Sequence, residues 1–235
     1  MPELISILDH DAVLEELVPA DQLQQARRIS RTPMVRLPTG PWTESEDAQR
    51  ARGGYGLFVV EGTLIRRVGV GGRFGAELLG PGDLLRPWQY DGGDSHALPF
   101  ESAWRIVSPT SLAVLDLAWA GRVAQWPQLG AELAGRALER SRRLVMGMAI
   151  VQQPRLDERL WLLFWDLADR FGRVHADGVH LDLPLTHEVL SYLAAARRPP
   201  VSSALSRLAA DGKLRRTGGT WVLCGDPPGP ELSGA

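Results

Sequence analysis

Cysteine is nearly missing from these 235 residues: Cys224 stands alone. One thiol makes no internal disulfide and cannot supply a protein-held four-cysteine cluster or a zinc knuckle. A reducing cytoplasm is the simplest compartment for such a chain. No apolar run reaches the 18 or so residues of a membrane span, which excludes an integral membrane protein. The first 26 residues carry Glu3, Asp9, Asp11, Glu15, Glu16 and Asp21 but no Lys or Arg. A secretory signal would be basic there, so export is not expected. Lysine is scarce too, with Lys213 alone among 26 basic residues. Such a bias toward arginine can follow genome composition, so arginine number by itself carries little weight. Histidines are few and scattered. His10, His96, His175 and His180 read as surface or loop residues rather than axial ligands. No cofactor and no metal is expected.

What is present is ordinary globular composition, 44% hydrophobic and 23% charged. The length suits one large domain or two ordinary ones. Net charge is −2, and its distribution is more telling than its sum. Between Leu185 and Arg216, six bases (Arg197, Arg198, Arg207, Lys213, Arg215 and Arg216) face only Glu188 and Asp211. Asymmetry of this kind points to an anionic partner at the C-terminal end.

Three textures follow one another. From about Arg31 to Leu117, short apolar runs (Tyr55–Val60, Thr63–Val68, Ala76–Leu79, Trp104–Val107, Ser111–Leu117) alternate with turn signals. Those signals are Glu61-Gly62, Gly71-Gly72, Gly80-Pro81-Gly82-Asp83, Asp91-Gly92-Gly93-Asp94 and Ser108-Pro109. Such spacing predicts an antiparallel sandwich or barrel. From Trp126 to Gln153 two adjacent stripes recur at steps of four and three. One is Leu133, Ala137, Arg140, Leu144, Gly147, Val151; the other is Ala134, Leu138, Ser141, Val145, Met148. A helix with two stripes can bury one against its own domain and one against a partner helix. The simpler alternative is one wide core-facing stripe in a monomer. Arg155–Phe171 reads as a second amphipathic helix closed by Gly172.

The third texture is the most specific. A strand, Gly178–Pro184, leads to a helix over Leu185–Ala196 with Thr186 as N-cap. After Arg197-Arg198-Pro199-Pro200 a second helix runs to Gly212, with Pro199 suited to its first position. Lys213–Cys224 then reads as two short strands around a Gly-rich turn. Helix, turn, helix and hairpin make a winged helix-turn-helix. Val201, Leu205 and Leu208 fall on one face, to pack on Val189, Leu190 and Leu193. The opposite face carries Arg198, Ser202, Ser203, Ser206 and Arg207. Short hydroxyls permit close approach to a groove floor, and arginines reach phosphate or guanine. Arg197, Arg215 and Arg216 are placed to hold phosphate. The bland alternative is a solvated helical hairpin with ordinary surface arginines.

The segment LTHEVLSYLAAARRPPVSSALSRLAADGKL, preceded by a β domain and a long helix, resembles the Crp/Fnr transcription regulators. VVEGTLIRRV and ELLGPGDLL are similar to that family's sensory β-roll. The resemblance covers about Arg31 to Gly225. It implies an α+β chain: a cyclic-nucleotide-binding-like jelly roll over 1–120, a dimerisation helix over 121–153, and a winged helix-turn-helix over 154–225, followed by a disordered tail, 226–235. It further implies a homodimer on a two-fold symmetric operator in double-stranded DNA, seamed through Leu133, Ala137, Leu144, Met148 and Val151. RNA polymerase is a partner the family would supply, and a small-molecule effector stays open.

The chain also departs from the family. Cyclic-nucleotide-binding members carry a Gly-Glu pair after the Gly-Asp turn to hold the ribose, then Arg-Ser/Thr-Ala to neutralise the cyclic phosphate. Here Arg86-Pro87 stands at the ribose pair and Glu101 at the phosphate arginine, followed by Ser102 and Ala103. A carboxylate facing a phosphodiester is repulsive, so cyclic AMP is disfavoured. Arg86, Trp88, Glu101, Ser102 and Trp104 remain the candidate effector pocket, with core packing the rival role for the tryptophans. One rival class is a jelly-roll enzyme of cupin type. It needs two histidines one residue apart with a carboxylate nearby, which are missing. No Ser-His-Asp or Cys-His set has supporting context either, so catalysis is not expected. The other rival is a jelly-roll small-molecule-binding or scaffold protein without effector-controlled DNA binding.

Overall fold

The computed structural model describes residues 3–43, 46–87 and 98–229, and two compact units divide it. One unit comprises 1–73 and 77–143; the other comprises 144–235 together with 74–76, so the division falls inside the long helix.

In the N-terminal unit, β1 (Leu4–Ile5), β2 (Thr32–Leu37), β3 (Gly40–Trp42), β4 (Gly56–Val70), β5 (Arg73–Leu79), β6 (Leu84–Leu85) and β7 (Glu101–Leu115) form one sheet. Its path runs β1-β2-β7-β4-β5, with β3 also on β7 and β6 on β4. Three short helices, α1 (Ala12–Glu16), α2 (Leu23–Ile29) and α4 (Leu117–Val123), pack on it, and α3 (Glu46–Arg50) lies between β3 and β4. Side-chain alternation divides the interior in two. Leu57, Val59, Leu112 and Val114 join Trp42, Leu79, Leu85 and Trp104 on one face of the sheet. Phe58, Val60, Ala113 and Leu115 join Leu8, Leu14, Trp119, Trp126, Leu129 and Leu133 on the other. Burial on both faces explains why the runs here are continuously apolar rather than alternating.

Four of the strands expected from sequence are in fact two. Tyr55–Val60 and Thr63–Val68 fuse into the 15-residue β4, and Trp104–Val107 and Ser111–Leu117 into the 15-residue β7. Glu61-Gly62 and Ser108-Pro109 face each other as a β-bulge, where the register shifts between Val59 and Leu64. Gly62 has φ +85°, and a Cβ there would collide with the Pro109 carbonyl oxygen and Thr110 Cα. The Ser108 hydroxyl accepts the Thr63 N–H at 2.9 Å, a ladder bond made by a side chain. A bulge and a turn draw on the same residue types, because both need a left-handed Gly and tolerate a missing N–H.

The long helix α5 spans Pro127–Val151. Leu133 is fully buried in the unit's own core, which corrects its place in the expected dimer seam. Arg136, Arg140 and Arg143, at steps of four and three, tie the helix to its own unit. Arg136 reaches Asp11 at 2.5 Å and Glu132 at 2.8 Å, Arg140 reaches Glu77 at 2.6 Å, and Arg143 reaches Asp83 at 2.8 Å. Burial pushes the Asp11 carboxyl up, but the Arg136 guanidinium and the Leu14 N–H outweigh it and hold Asp11 below the ordinary carboxylate range. That ion pair therefore contributes fully above the usual carboxylate value and is lost as pH falls through the depressed one. The second stripe stays free. Leu138, Val145 and Met148 are 69, 66 and 66% exposed, and Ala134, Ala137 and Leu144 are exposed beside them. Val151 is half-buried.

The C-terminal unit holds α6 (Leu156–Phe171), β8 (Gly172–His175), β9 (Gly178–Leu181), α7 (His187–Leu193), α8 (Arg198–Ala210), β10 (Leu214–Thr217) and β11 (Thr220–Leu223). Its four-stranded sheet has the order β10-β11-β9-β8. The strand β8 and its hairpin to β9 were not anticipated, since Gly172 read as a stop. Phe164 of α6 meets Trp221 of β11 with ring centroids 5.1 Å apart, and the Trp221 indole N–H donates to the Leu185 carbonyl at 3.1 Å. Val201, Leu205 and Leu208, with Val189, Leu190 and Leu193, are all buried. Of the expected tail, Asp226–Gly229 is irregular, and 230–235 lie outside the described residues.

Candidate nucleic-acid interface

The Thr186 hydroxyl accepts the Val189 N–H at 3.2 Å and starts α7. The helix ends at Ala194, and Ala195 takes φ +48°. Its N–H donates to the Tyr192 carbonyl at 3.2 Å and the Ala196 N–H to that of Ser191 at 2.9 Å, a closure that reverses the chain. An L-residue in this region costs about 1–2 kcal/mol, so Ala195→Gly is expected to stabilise the unit by about 1 kcal/mol, seen as a raised melting temperature. An unchanged or lowered one would show that the turn carries no such strain.

Arg197 is extended and caps α8 without a side-chain bond. Arg198 is the first helical residue and Pro199 the second, one position later than expected. Prolines fit here because first-turn N–H groups have no intrahelical partner. Val201, Ala204, Leu205 and Leu208 face inward; Arg198, Ser203, Ser206 and Arg207 face solvent. Arg197 and Arg198 make no ion pair among the described residues. Arg207 lies 4.0 Å from Asp157, a carboxylate already held by Arg155 at 2.9 Å.

Ser202 is half-buried, and its hydroxyl lies 2.8 Å from His187 Nδ1. It is therefore engaged at the start of α7, whereas the exposed Ser203 and Ser206 hydroxyls donate back to the Pro199 and Ser202 carbonyls at 3.4 and 3.1 Å. Sequence reading missed His187, because no local rule links residues 15 apart across two helices. Beyond α8, Gly218 and Gly219 have φ +58° and +98° at the tip of the β10–β11 hairpin, where Thr217 pairs with Thr220. Left-handed conformations at both central positions are what a tight hairpin turn of matching twist requires. Arg216 lies over the Trp221 ring at 5.0 Å, and Arg215 is bonded to Asp177 of the β8–β9 turn. His180 also bonds Asp177 at 2.8 Å, and together with Arg215 it holds that carboxyl below its usual range. His175 stacks near His180 with centroids 4.1 Å apart. Among the described residues no group of three His, Cys, Asp or Glu could hold a metal.

Of the candidate effector residues of the β-roll, Arg86 and Trp104 are engaged within the fold. The Arg86 guanidinium donates to the backbone carbonyls of Gly54 and Tyr55. Trp104 is core, packed edge-on against Trp42 at 5.7 Å with Arg66 over it at 5.8 Å. Glu101 and Ser102 are exposed at the start of β7. Trp88 and His96 lie outside the described residues, and His10 is exposed.

A jelly-roll-like sheet unit, a long helix with a free apolar stripe and a winged helix-turn-helix define the architecture of the Crp/Fnr regulators. Residues 158–229 match the family model of the Crp-like helix-turn-helix domain, and this part of the chain is such a domain. Among solved structures, a cyclic nucleotide-binding domain containing protein from Listeria monocytogenes EGD-e superposes with a TM-score of 0.64 at 15% identity, over 92% of this chain and 97% of that one. FixK2 from Bradyrhizobium japonicum gives 0.58 at 20% identity, over 82% and 92%. The c-di-GMP responsive global regulator CLP of Xanthomonas campestris gives 0.55 at 19% identity, over 92% and 100%. No curated protein sequence matches the chain. No helix among the described residues is long and apolar enough to cross a membrane.

Proposed function

We propose that this chain is a sequence-specific DNA-binding transcription regulator that works as a homodimer on an inverted-repeat operator, without cyclic AMP and without catalysis of its own. The observation that carries the reading is Arg198. It opens α8 on the solvent side, free of any ion pair among the described residues, on a helix whose opposite face is sealed into the core. An unpaired guanidinium at the leading end of a second helix is suited to a bidentate contact with a guanine edge. Arg197 precedes it in sequence, and Arg215 and Arg216 are exposed on β10, Arg215 bonded to Asp177 and Arg216 over the Trp221 ring; these hold phosphate. Ala134, Leu138, Val145 and Met148, with Ala137 and Leu144 alongside, form the dimer seam, because an unpartnered apolar stripe of this period is what a parallel partner helix covers. Independence from cyclic AMP is supported by the commitment of Arg86 to loop carbonyls and by the tryptophans that fill one side of the sheet.

The test is to select duplexes from a randomised pool with the wild-type chain and titrate the winner and a scrambled control. Arg198→Ala is expected to cost about 1–3 kcal/mol on the selected duplex alone and to relax preference at one position per half-site. Arg216→Ala should weaken both duplexes alike and flatten the salt dependence. Adding cyclic AMP at about 100 μM, a weak-binding regime of roughly −5.5 kcal/mol, should change neither. Equal losses on both duplexes for Arg198→Ala would remove its base-reading role, and cyclic AMP dependence would overturn the effector claim.

A further inference from the structure

The first turn of α8 lacks two of the groups by which a helix end holds phosphate. Arg198 is its first residue, and Pro199 and Pro200 fill the next two positions. Proline has no N–H, so two of the backbone donors that a helix start would turn toward an anion are missing. The Val201 N–H is already taken by the Arg197 carbonyl at 3.4 Å. Both pyrrolidine rings are exposed. Farther along, the exposed Ser203 and Ser206 turn their hydroxyl protons back to the Pro199 and Ser202 carbonyls at 3.4 and 3.1 Å, which spends those donors within the helix. The leading end of α8 thus offers a partner the Arg198 guanidinium and two saturated rings.

We propose that Pro199 and Pro200 are specificity residues of this chain: their rings cover a thymine 5-methyl group in the major groove, in a base pair adjoining the guanine that Arg198 contacts. The inference rests on the reading of α8 as the recognition helix, whose N-terminal residues meet base edges. Two surroundings compete for the rings, the phosphate rim and the groove floor. Against phosphate they would strip water from an anion and give no hydrogen bond in return. On the floor the thymine methyl is the apolar group that a base pair presents, and covering it removes apolar surface from water on both sides. Cytosine, adenine and guanine show a polar amino, N7 or O6 there instead, which a pyrrolidine ring leaves unpaired. Proline also has no side-chain rotamer freedom to lose on contact. Arg198 would then select guanine through two N–H donors, and its two neighbours select thymine through shape and apolarity.

The experiment uses the full chain and the duplex it selects from a randomised pool, which should carry a thymine beside the guanine whose preference depends on Arg198. Deoxyuridine in place of that thymine deletes one methyl group and leaves the hydrogen-bonding edge intact. Wild type is expected to lose about fourfold in affinity for one replaced methyl and about 15-fold when both half-sites are replaced. The same replacement at thymines outside the selected positions should change nothing. Pro199→Ser combined with Pro200→Ser removes both rings at an exposed first turn, where serine is well tolerated. This double variant should bind the thymine and uracil duplexes within about twofold of each other. Wild type binding the two duplexes within about twofold overturns the inference, as does a selected duplex without thymine beside the guanine. A double variant that keeps the full thymine preference overturns it too. The base replacement is made in the DNA, so that arm stands even if the double variant melts early. Arg198→Ala runs alongside. If it relaxes no base preference, the recognition-helix reading fails; if it does so while wild type tolerates uracil, only the thymine contact fails.

Discussion

Glu77→Ala is expected to destabilise the N-terminal unit by about 3–5 kcal/mol, the usual cost of removing one partner from a buried ion pair. Glu77 Oε1 lies 2.6 Å from Arg66 Nε and 2.6 Å from Arg140 Nη2, and Oε2 accepts Arg140 Nε at 2.9 Å. The three side chains are only 11, 7 and 17% exposed. Removing the carboxylate leaves two guanidinium groups around a space that solvent reaches poorly. Glu77→Gln keeps the volume and an acceptor but not the charge, so its loss should be smaller. Urea unfolding followed by tryptophan fluorescence checks both, through a lowered midpoint at unchanged slope. A loss under about 1 kcal/mol for alanine, the range of an exposed pair, would mean that the site hydrates freely. The expectation matters for function because this carboxylate joins β5 to α5, and α5 carries the free stripe.

Val145→Asp is expected to dissociate the proposed dimer. Val145 is 66% exposed in the single chain, between Ser141 and Met148 on the free stripe. In a two-fold interface each substitution appears twice, so two carboxylates would lose water without gaining partners. Light scattering at micromolar concentration should fall from twice 25.8 kDa to 25.8 kDa. Arg142→Ala, on the face where Arg142 is 82% exposed, should leave the mass unchanged. Dissociation also uncouples the two half-sites, so affinity for an inverted repeat should drop about 100-fold or more while half-site affinity persists. A dimer that survives Val145→Asp would place its seam elsewhere.

The residues differ in how plainly they announced their roles. The winged helix-turn-helix was legible because its signals are local. Thr186 caps, Pro199 and Pro200 start a helix, Gly218-Gly219 turn a hairpin, and Val201, Leu205 and Leu208 mark one face by spacing alone. The long helix was legible for the same reason, from two stripes of matching period. Which stripe was free was not, since periodicity places residues on a face without saying what covers it. Leu133 and Leu144 share a stripe, yet one is sealed in the core and the other reaches solvent, because the sheet and its helices cover only the N-terminal part of that face.

Charge partners were equally hidden. Arg140 sat in a stripe that read as apolar, and its carboxylate lies 63 residues away on β5. Asp177 and Arg215 are 38 apart, and His187 and Ser202 are 15 apart. Such pairs are made by chain reversals, and no short-range rule of propensity or spacing contains them. By itself, then, the sequence determined the β character of the first half, the long helix, the helix-turn-helix with its hairpin and the basic end of the chain, all of which follow from local backbone preference and side-chain period. Only the tertiary structure decided that two turn signals were a bulge, that Arg86 and Trp104 are spent on the fold, which stripe of α5 stays open and what Ser202 touches. Each of those depends on which distant side chains arrive at the same place, and that is fixed by packing rather than by neighbours in sequence.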